Sequence, residues 1–391
     1  MSATPGIRAI AFYLPQFHPV PENDAWWGKG FTEWTNVTKA EPLFHGHYQP
    51  HLPGELGFYD LRLSETRAAQ AELAREHGLH GFCYYHYWFN GRRVLGRPFD
   101  EVLTAGQPDF PFCLCWANEN WTRRWDGQER EVLLAQNYSH EDDIAHIRWL
   151  ARAFRDPRYI RVDGKPLFLV YRLFWLPDPS RTIATWRDEA QKLGLGELFL
   201  CNVEGTDRDR GLAPQHGLDA AVEFAPDWAA LPTPILPPDL QWLGRRLANR
   251  PRIRHRAEGL RLLSPPKYAD STVFAYANLA HAMLAKPEPS YRRFPCVTPS
   301  WDNSPRRRAG ALIMAGSTPE LYAAWLQEVL RRAQSRQGAN PIVFINAWNE
   351  WAEGSHLEPC QKWGRAYLER TRDALSVVEQ TASPGPCRHQ V

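Results

Sequence analysis

The segment Pro341-Ile-Val-Phe-Ile-Asn-Ala-Trp-Asn-Glu-Trp-Ala-Glu-Gly354 begins as a continuous apolar run, as a strand buried on both faces does. Within a few residues it becomes polar, with Asn346, Trp348, Asn349, Glu350, Trp351 and Glu353 in close succession. Carboxylates move protons, and indole faces stack on pyranose rings, so this composition suits general acid/base work on a sugar. A purely structural strand end has no need of so many Trp and Asn. If the chain after Trp348 turns helically, Glu350 and Glu353 stand at i and i+3, with Cβ atoms about 5–6 Å apart. Two carboxylates that close resist double ionisation, so one holds a proton near neutral pH and the pair supplies both an acid and a base. The spacing suits a retaining glycosidase, whose carboxyls stand about 5–5.5 Å apart, better than an inverting one.

Such a pair needs a scaffold, and the rest of the sequence predicts one. Short apolar runs alternate with helical periodicity, giving eight strands. They are Ile7 to Pro15, Gly81 to Trp88, Pro111 to Asn118, Pro166 to Arg172, Leu198 to Glu204, Ala220 to Pro226, Pro295 to Trp301 and Pro341 to Trp348. Amphipathic stretches predict helices over Ser64 to His77, stopped by Gly78, and over Glu141 to Arg155, Arg181 to Leu193, Thr318 to Arg336 and Arg365 to Glu379. Thr318 is the expected cap of its helix, with Pro319 at the first position. The pattern predicts an α/β chain folded as a (β/α)8 TIM barrel, one catalytic domain over residues 1–380. Long insertions follow strand one (Phe17 to Leu63) and strand six (Asp227 to Tyr291), and residues 381–391 read as a disordered tail. An open doubly wound sheet is the weaker reading, because no Gly-rich phosphate loop follows strand one.

Functional residue types gather at one end of every strand, where a barrel builds its site. Tyr13, Gln16 and His18 end strand one, and Tyr85, His86 and Trp88 end strand two. Trp116, Asn118, Glu119 and Trp121 end strand three, Glu204 ends strand five and Glu223 lies in strand six. Trp301 and Asp302 end strand seven; Trp348, Asn349 and Trp351 accompany Glu350 and Glu353. All are expected to bind substrate, with Glu350 and Glu353 catalytic. Each also has a plainer reading. Glu223 could be a buried carboxylate paired with Arg172 or Arg124, and His86 a satisfied core histidine. Trp26, Trp27, Glu33 and Trp34 either touch sugar or pin the first loop, while His45, His47 and His51 read as loop anchors rather than metal ligands. Arg306-Arg307-Arg308 reads as a solvated face.

Composition narrows the classes. Lys+Arg 46 against Asp+Glu 44 gives no support for nucleic-acid or membrane-surface binding. No apolar run approaches the roughly 20 residues of a membrane span, and the start of the chain carries no secretory signal, so a cytoplasmic location is expected. The seven scattered Cys read as reduced thiols, and neither metal nor organic cofactor is implied. Seventeen Trp are more than a core requires, and their clustering with Asn, Glu and His favours a carbohydrate cleft.

Nearly the whole chain resembles the WbsX-type family, also described as glycoside hydrolase family 99-like proteins, found with bacterial surface-polysaccharide genes. The matching stretches are Phe12-Tyr-Leu-Pro-Gln-Phe-His-Pro19, Trp26-Trp-Gly-Lys-Gly-Phe-Thr-Glu-Trp-Thr-Asn36 and His47-Tyr-Gln-Pro-His51. To these are added Gly81-Phe-Cys-Tyr-Tyr-His-Tyr-Trp-Phe89, Cys115-Trp-Ala-Asn-Glu-Asn-Trp-Thr-Arg-Arg-Trp125 and Asn346-Ala-Trp-Asn-Glu-Trp-Ala-Glu-Gly354. More distantly, Asn349, Glu350, Trp351, Glu353 and Gly354 resemble the Asn-Glu-Trp-x-Glu-Gly motif of the family 99 endo-α-mannosidases, which are retaining (β/α)8 enzymes. That resemblance implies that Glu350 assists the substrate 2-hydroxyl as an internal nucleophile, through a 1,2-anhydro sugar, and that Glu353 is the general acid/base. Ala352 stands where the mannosidases carry His, so substrate and linkage do not transfer. Three readings follow: a retaining hydrolase or transglycosylase acting on a surface oligosaccharide or polysaccharide, a glycosyltransferase of lipopolysaccharide synthesis, and a non-catalytic carbohydrate-binding barrel. Asp207-Arg-Asp209 has the letters of a transferase metal motif and little else in the chain supports one.

Overall fold

The computed structural model describes residues 6–123, 128–235, 271–307, 310–338 and 340–382. Nine parallel segments form a nearly closed barrel: β1 (Arg8–Tyr13), β2 (Gly81–Phe89), β3 (Phe112–Trp116), β4 (Lys165–Val170), β5 (Phe199–Glu204), β6 (Ala220–Glu223), β7 (Arg293–Phe294), β8 (Cys296–Val297) and β9 (Ile342–Ile345). Every residue of β3, β5, β6 and β9 is buried, which is why these strands read as unbroken apolar runs rather than alternating ones. Neighbours pair in chain order, and β1 closes on β9 with Ile10 opposite Phe344.

Strand seven departs from expectation. It starts two residues earlier than predicted and is split at Pro295, whose missing N–H breaks the ladder. Its first half pairs with β6 and its second with β9, and Pro295 O still accepts from Phe344 N at 2.8 Å. Trp301–Asp302 therefore lies outside the barrel. It pairs antiparallel with Leu312–Ala315, which in turn pairs parallel with Thr272–Ala275 in a small accessory sheet.

Helices α1 (Pro21–Trp27) and α2 (Glu33–Thr38) occupy the first insertion. The outer layer comprises α3 (Ser64–Glu76), α4 (Arg97–Ala105), α5 (His140–Phe154), α6 (Pro179–Lys192), α7 (Leu212–Gln215), α8 (Tyr276–Leu284), α9 (Pro319–Gln337) and α10 (Ala366–Ala382). Their ends follow local chemistry. Thr318 accepts from Leu321 N at 3.3 Å, with Pro319 opening α9, and Ser139 and Asp178 cap α5 and α6 in the same way. Gly78 ends α3 at φ +79°, where a side chain would be strained. Most of the second insertion (residues 236–270), Arg124 and the tail beyond 382 lie outside the described residues. None of the six described cysteines is in a disulfide, and among the described residues no helix is long and apolar enough to cross a membrane.

Candidate active site

Past β9 the chain makes two short movements that fix the glutamates. Asn349–Glu350 pairs antiparallel with Ser355–His356, and a 3₁₀ turn over Trp351–Glu353 joins them. Gly354 closes the turn at φ +61°; a Cβ there would stand 3.0 Å from the backbone N of Asp302, so the position takes glycine. Asn349 anchors the assembly to the end of β1: its Oδ1 accepts from Leu14 N at 2.7 Å and its Nδ2 donates to Leu14 O at 3.0 Å. Beneath the turn, Trp351 stacks on His356 with ring centroids 3.8 Å apart and donates to Glu358 at 2.6 Å. Tyr59 and Gln70 also donate to Glu358, whose carboxyl burial pushes up to about 7.

Three carboxylates meet at one guanidinium. Arg306 Nε donates to Glu33 Oε1 at 2.6 Å, Nη2 to Glu350 Oε2 at 2.9 Å, and Nη1 lies 2.8 Å from Glu353 Oε1. Glu33 is fully buried on α2, whereas the Glu353 side chain is 23% exposed. Burial pushes the Glu350 carboxyl up to about 8; Arg306 opposes the shift, and the charges of Glu353 and Glu33 add to it. A carboxyl raised this far favours a protonated Glu350 at neutral pH.

Both glutamates line a cavity of about 490 Å³ at the C-terminal mouth of the barrel. Its floor is aromatic: Tyr85 stacks on Phe12 at 5.6 Å, and Tyr171 meets Tyr85 at 5.9 Å and Phe224 at 5.6 Å, both edge-on. Trp26 and Trp27 of α1, Trp121 and the hairpin residues Val132 and Leu133, and Trp175 after β4 form its walls and rim. Glu119 contributes a further carboxylate, held by Arg172 Nε at 3.1 Å.

The structure sorts the residues singled out in the sequence. Gln16, Tyr85, Glu119, Trp121, Glu350 and Glu353 line the cavity together. Tyr13, His18, Trp34, His86, Trp88, Trp116, Asn118, Trp348, Asn349 and Trp351 are buried beside or beneath it and do not line it. Several of them have their polar atoms occupied elsewhere. Trp34 donates to Tyr59 O at 2.8 Å, Trp88 to Asp142 at 2.9 Å, and Tyr13 to Gln70 at 2.7 Å. His86 is the core histidine of its alternative reading, stacked on Trp149 at 4.7 Å and bonded to His146. Asp302 accepts from His47 and Gln49, both at 2.6 Å, and with Trp301 borders a separate hollow of about 100 Å³. Glu204 and Glu223 point outward, because the pleat that turns Phe224 inward turns Glu223 away. Glu223 is paired, but with Lys286 at 2.6 Å and Arg293 at 3.6 Å rather than with Arg172 or Arg124.

Sequence reasoning missed Arg306, Trp175 and the Val132–Leu133 wall. Arg306 is not on a solvated face: its side chain is 13% exposed among the three glutamates. Its position just past the polar end of strand seven, near buried acids that need a counter-charge, was the available signal. Asp207 and Asp209 do not act together, since Asp207 is exposed beside Arg210 and Asp209 is buried, accepting from Thr206. Among the described residues no His, Cys, Asp and Glu group is arranged to hold a metal ion.

Comparison with known proteins places this site in context. The profile of a family described as "Glycosyltransferase WbsX" matches residues 9–371. WxcX proteins from two strains of Xanthomonas campestris pv. campestris, B100 and ATCC 33913, are 45% identical over 384 residues. That alignment covers 97% of this chain, which spans about half (51%) the length of those curated relatives. Among solved structures, a glycoside hydrolase-like protein superposes with a TM-score of 0.55 at 14% identity, covering 96% of this chain and 95% of that one. The GH99 endo-alpha-mannosidase from Bacteroides thetaiotaomicron gives 0.52 at 14% identity, covering 96% and 99%; at such identity both likenesses concern the barrel fold. With its profile match running almost end to end, the chain belongs to the WbsX family.

Proposed function

We propose that the protein is a retaining glycoside hydrolase or transglycosylase acting on a bacterial surface oligosaccharide or polysaccharide. One observation carries the reading: two glutamates on a single turn, bridged by Arg306, face a cavity with an aromatic floor and tryptophan walls. Glu350 removes the proton of the sugar 2-hydroxyl as O2 attacks C1, forming a 1,2-anhydro sugar. Glu353, the more exposed member, protonates the departing glycosidic oxygen. It then takes a proton from the incoming water or sugar hydroxyl, which opens the anhydro ring at C1, while Glu350 returns its proton to O2. Each step leaves the pair with one proton. In the empty site that proton rests on Glu350; a 2-hydroxyl donating to Glu350 favours its carboxylate, so the proton is better held by Glu353 when substrate is bound. Arg306 keeps both carboxylates oriented without replacing the proton.

The test follows products by mass spectrometry on size-fractionated O-chain fragments from X. campestris pv. campestris, the source of the 45% identical relatives. Native protein is expected to shorten or rearrange the fragments, and Glu350→Gln and Glu353→Gln to remain folded and inactive. Full activity in either variant would overturn the reading.

A second reading, nucleotide-sugar-dependent transfer, is favoured by the description of the family. Calorimetry with nucleotide sugars and manganese separates the two: binding there supports a transferase, and turnover of fragments without nucleotide supports the first reading.

A further inference from the structure

A second groove, of about 470 Å³, continues from the cavity. Trp27 and Arg307 line both hollows, so the indole stands at their junction. Beyond it the wall comprises Phe31, Thr35, Asn36 and Ser304, from the first insertion and from the turn that carries Arg306. Two of these side chains are unusual. Asn36 is fully buried and neither its Oδ1 nor its Nδ2 has a hydrogen-bond partner, and the buried hydroxyl of Ser304 also lacks one. Buried amides and hydroxyls are nearly always paired, because burying them unpaired carries the full cost of desolvation. Aromatic surface beside unpaired donors and acceptors complements a sugar unit, which presents apolar C–H faces and hydroxyl edges together.

We infer that this groove is a subsite for further sugar units of the chain whose reacting unit sits in the cavity. The ligand class is therefore an oligosaccharide running past Trp27 rather than a single sugar. Asn36 and Ser304 recognise hydroxyls of the second unit, and Phe31 packs against its apolar face. The inference rests on the function proposed above and adds the direction in which the chain extends.

Thr35 is exposed on the groove wall, so Thr35→Trp fills the groove without disturbing the core. Calorimetry would use X. campestris O-chain fragments of graded length, with native protein and with Thr35→Trp shown by circular dichroism to melt as native does. Affinity for native protein is expected to rise roughly tenfold once fragments are long enough to pass Trp27. Thr35→Trp should abolish that gain and leave binding of the shortest fragments unchanged; Asn36→Ala should reduce it. Identical length dependence in native protein and Thr35→Trp would overturn the groove assignment. So would binding of short fragments with no gain from length, though the cavity reading would then stand. Failure of every fragment to bind native protein would overturn the proposed function and the subsite with it.

Discussion

Two pairs of glutamates stand at the same end of this barrel, and their surroundings differ in kind. Glu204 and Glu223 are the last residues of β5 and β6, directly opposite each other in the ladder. They point outward, away from the cavity: Glu223 pairs with Lys286 and Arg293, while Glu204, whose carboxyl burial also pushes up, accepts from Tyr291 at 2.7 Å and has Arg293 only at 3.9 Å. Lys286 continues the network to Asp227, which Arg210 also pairs at 2.8 Å. Glu350 and Glu353 instead share one guanidinium with Glu33 and border open space. Being a buried glutamate at a strand end therefore says little. On the proposed function, what sets Glu350 and Glu353 apart is a single shared guanidinium beside a cavity, with a proton to be exchanged there.

The comparison can be broken by exchanging one oxygen for nitrogen at each position. Glu350→Gln or Glu353→Gln should lower turnover by about 10³-fold or more with little change in fold, whereas Glu204→Gln and Glu223→Gln should retain most turnover and lose thermal stability. Near-native turnover in the first two variants, or abolished turnover in stable versions of the second two, would erase the distinction.

Removing the cations gives the next largest effect. Arg306→Met strands three carboxylates and should cost about 3–5 kcal/mol in denaturant unfolding; Lys286→Met should cost less, because Arg293 and Arg210 remain beside Glu223 and Asp227. Only Arg306→Met should also abolish activity in the protein that remains folded.

Stability should depend on pH through Glu350. Its folded value of about 8 lies above the ordinary 4.5, so the folded protein binds the extra proton across that interval. The stability tied to that proton is complete below about 4.5 and is lost as pH rises through about 8. Melting temperatures of native protein should fall over this window, and Glu350→Gln should flatten part of the slope. An equal slope in the variant would assign the titration elsewhere. The smallest effect belongs to the rim: Trp175→Ala should weaken oligosaccharide binding by roughly 1 kcal/mol while kcat stays near native.

Much of the frame was legible because burial on both faces leaves a continuous apolar signal, as in Phe344 and its neighbours on β9. Thr318, Pro319 and Gly78 marked helix ends by chemistry confined to a few residues. Strand seven was less legible, because Pro295 divides it between two partners that no local pattern reveals. The site divides along the same line. Glu350 and Glu353 lie within one turn, and their spacing could be read directly. Arg306 had only its place past strand seven as a signal, since its role depends on Glu33, 273 residues away. The indoles misled for a physical reason: Trp348 and Trp351 have the composition of a sugar platform, yet they are buried under the turn and support it from below.

The central claim is that Glu350 and Glu353 hold one proton between them, and carbon-13 NMR of δ-labelled glutamates tests it most directly. In native protein one carboxyl carbon, absent from the Glu350→Gln spectrum, should titrate near 8. In Glu353→Gln the same carbon should titrate at lower pH, because a neighbouring negative charge has been removed. A Glu350 signal that titrates in the ordinary carboxylate range and does not respond to Glu353→Gln would contradict the account.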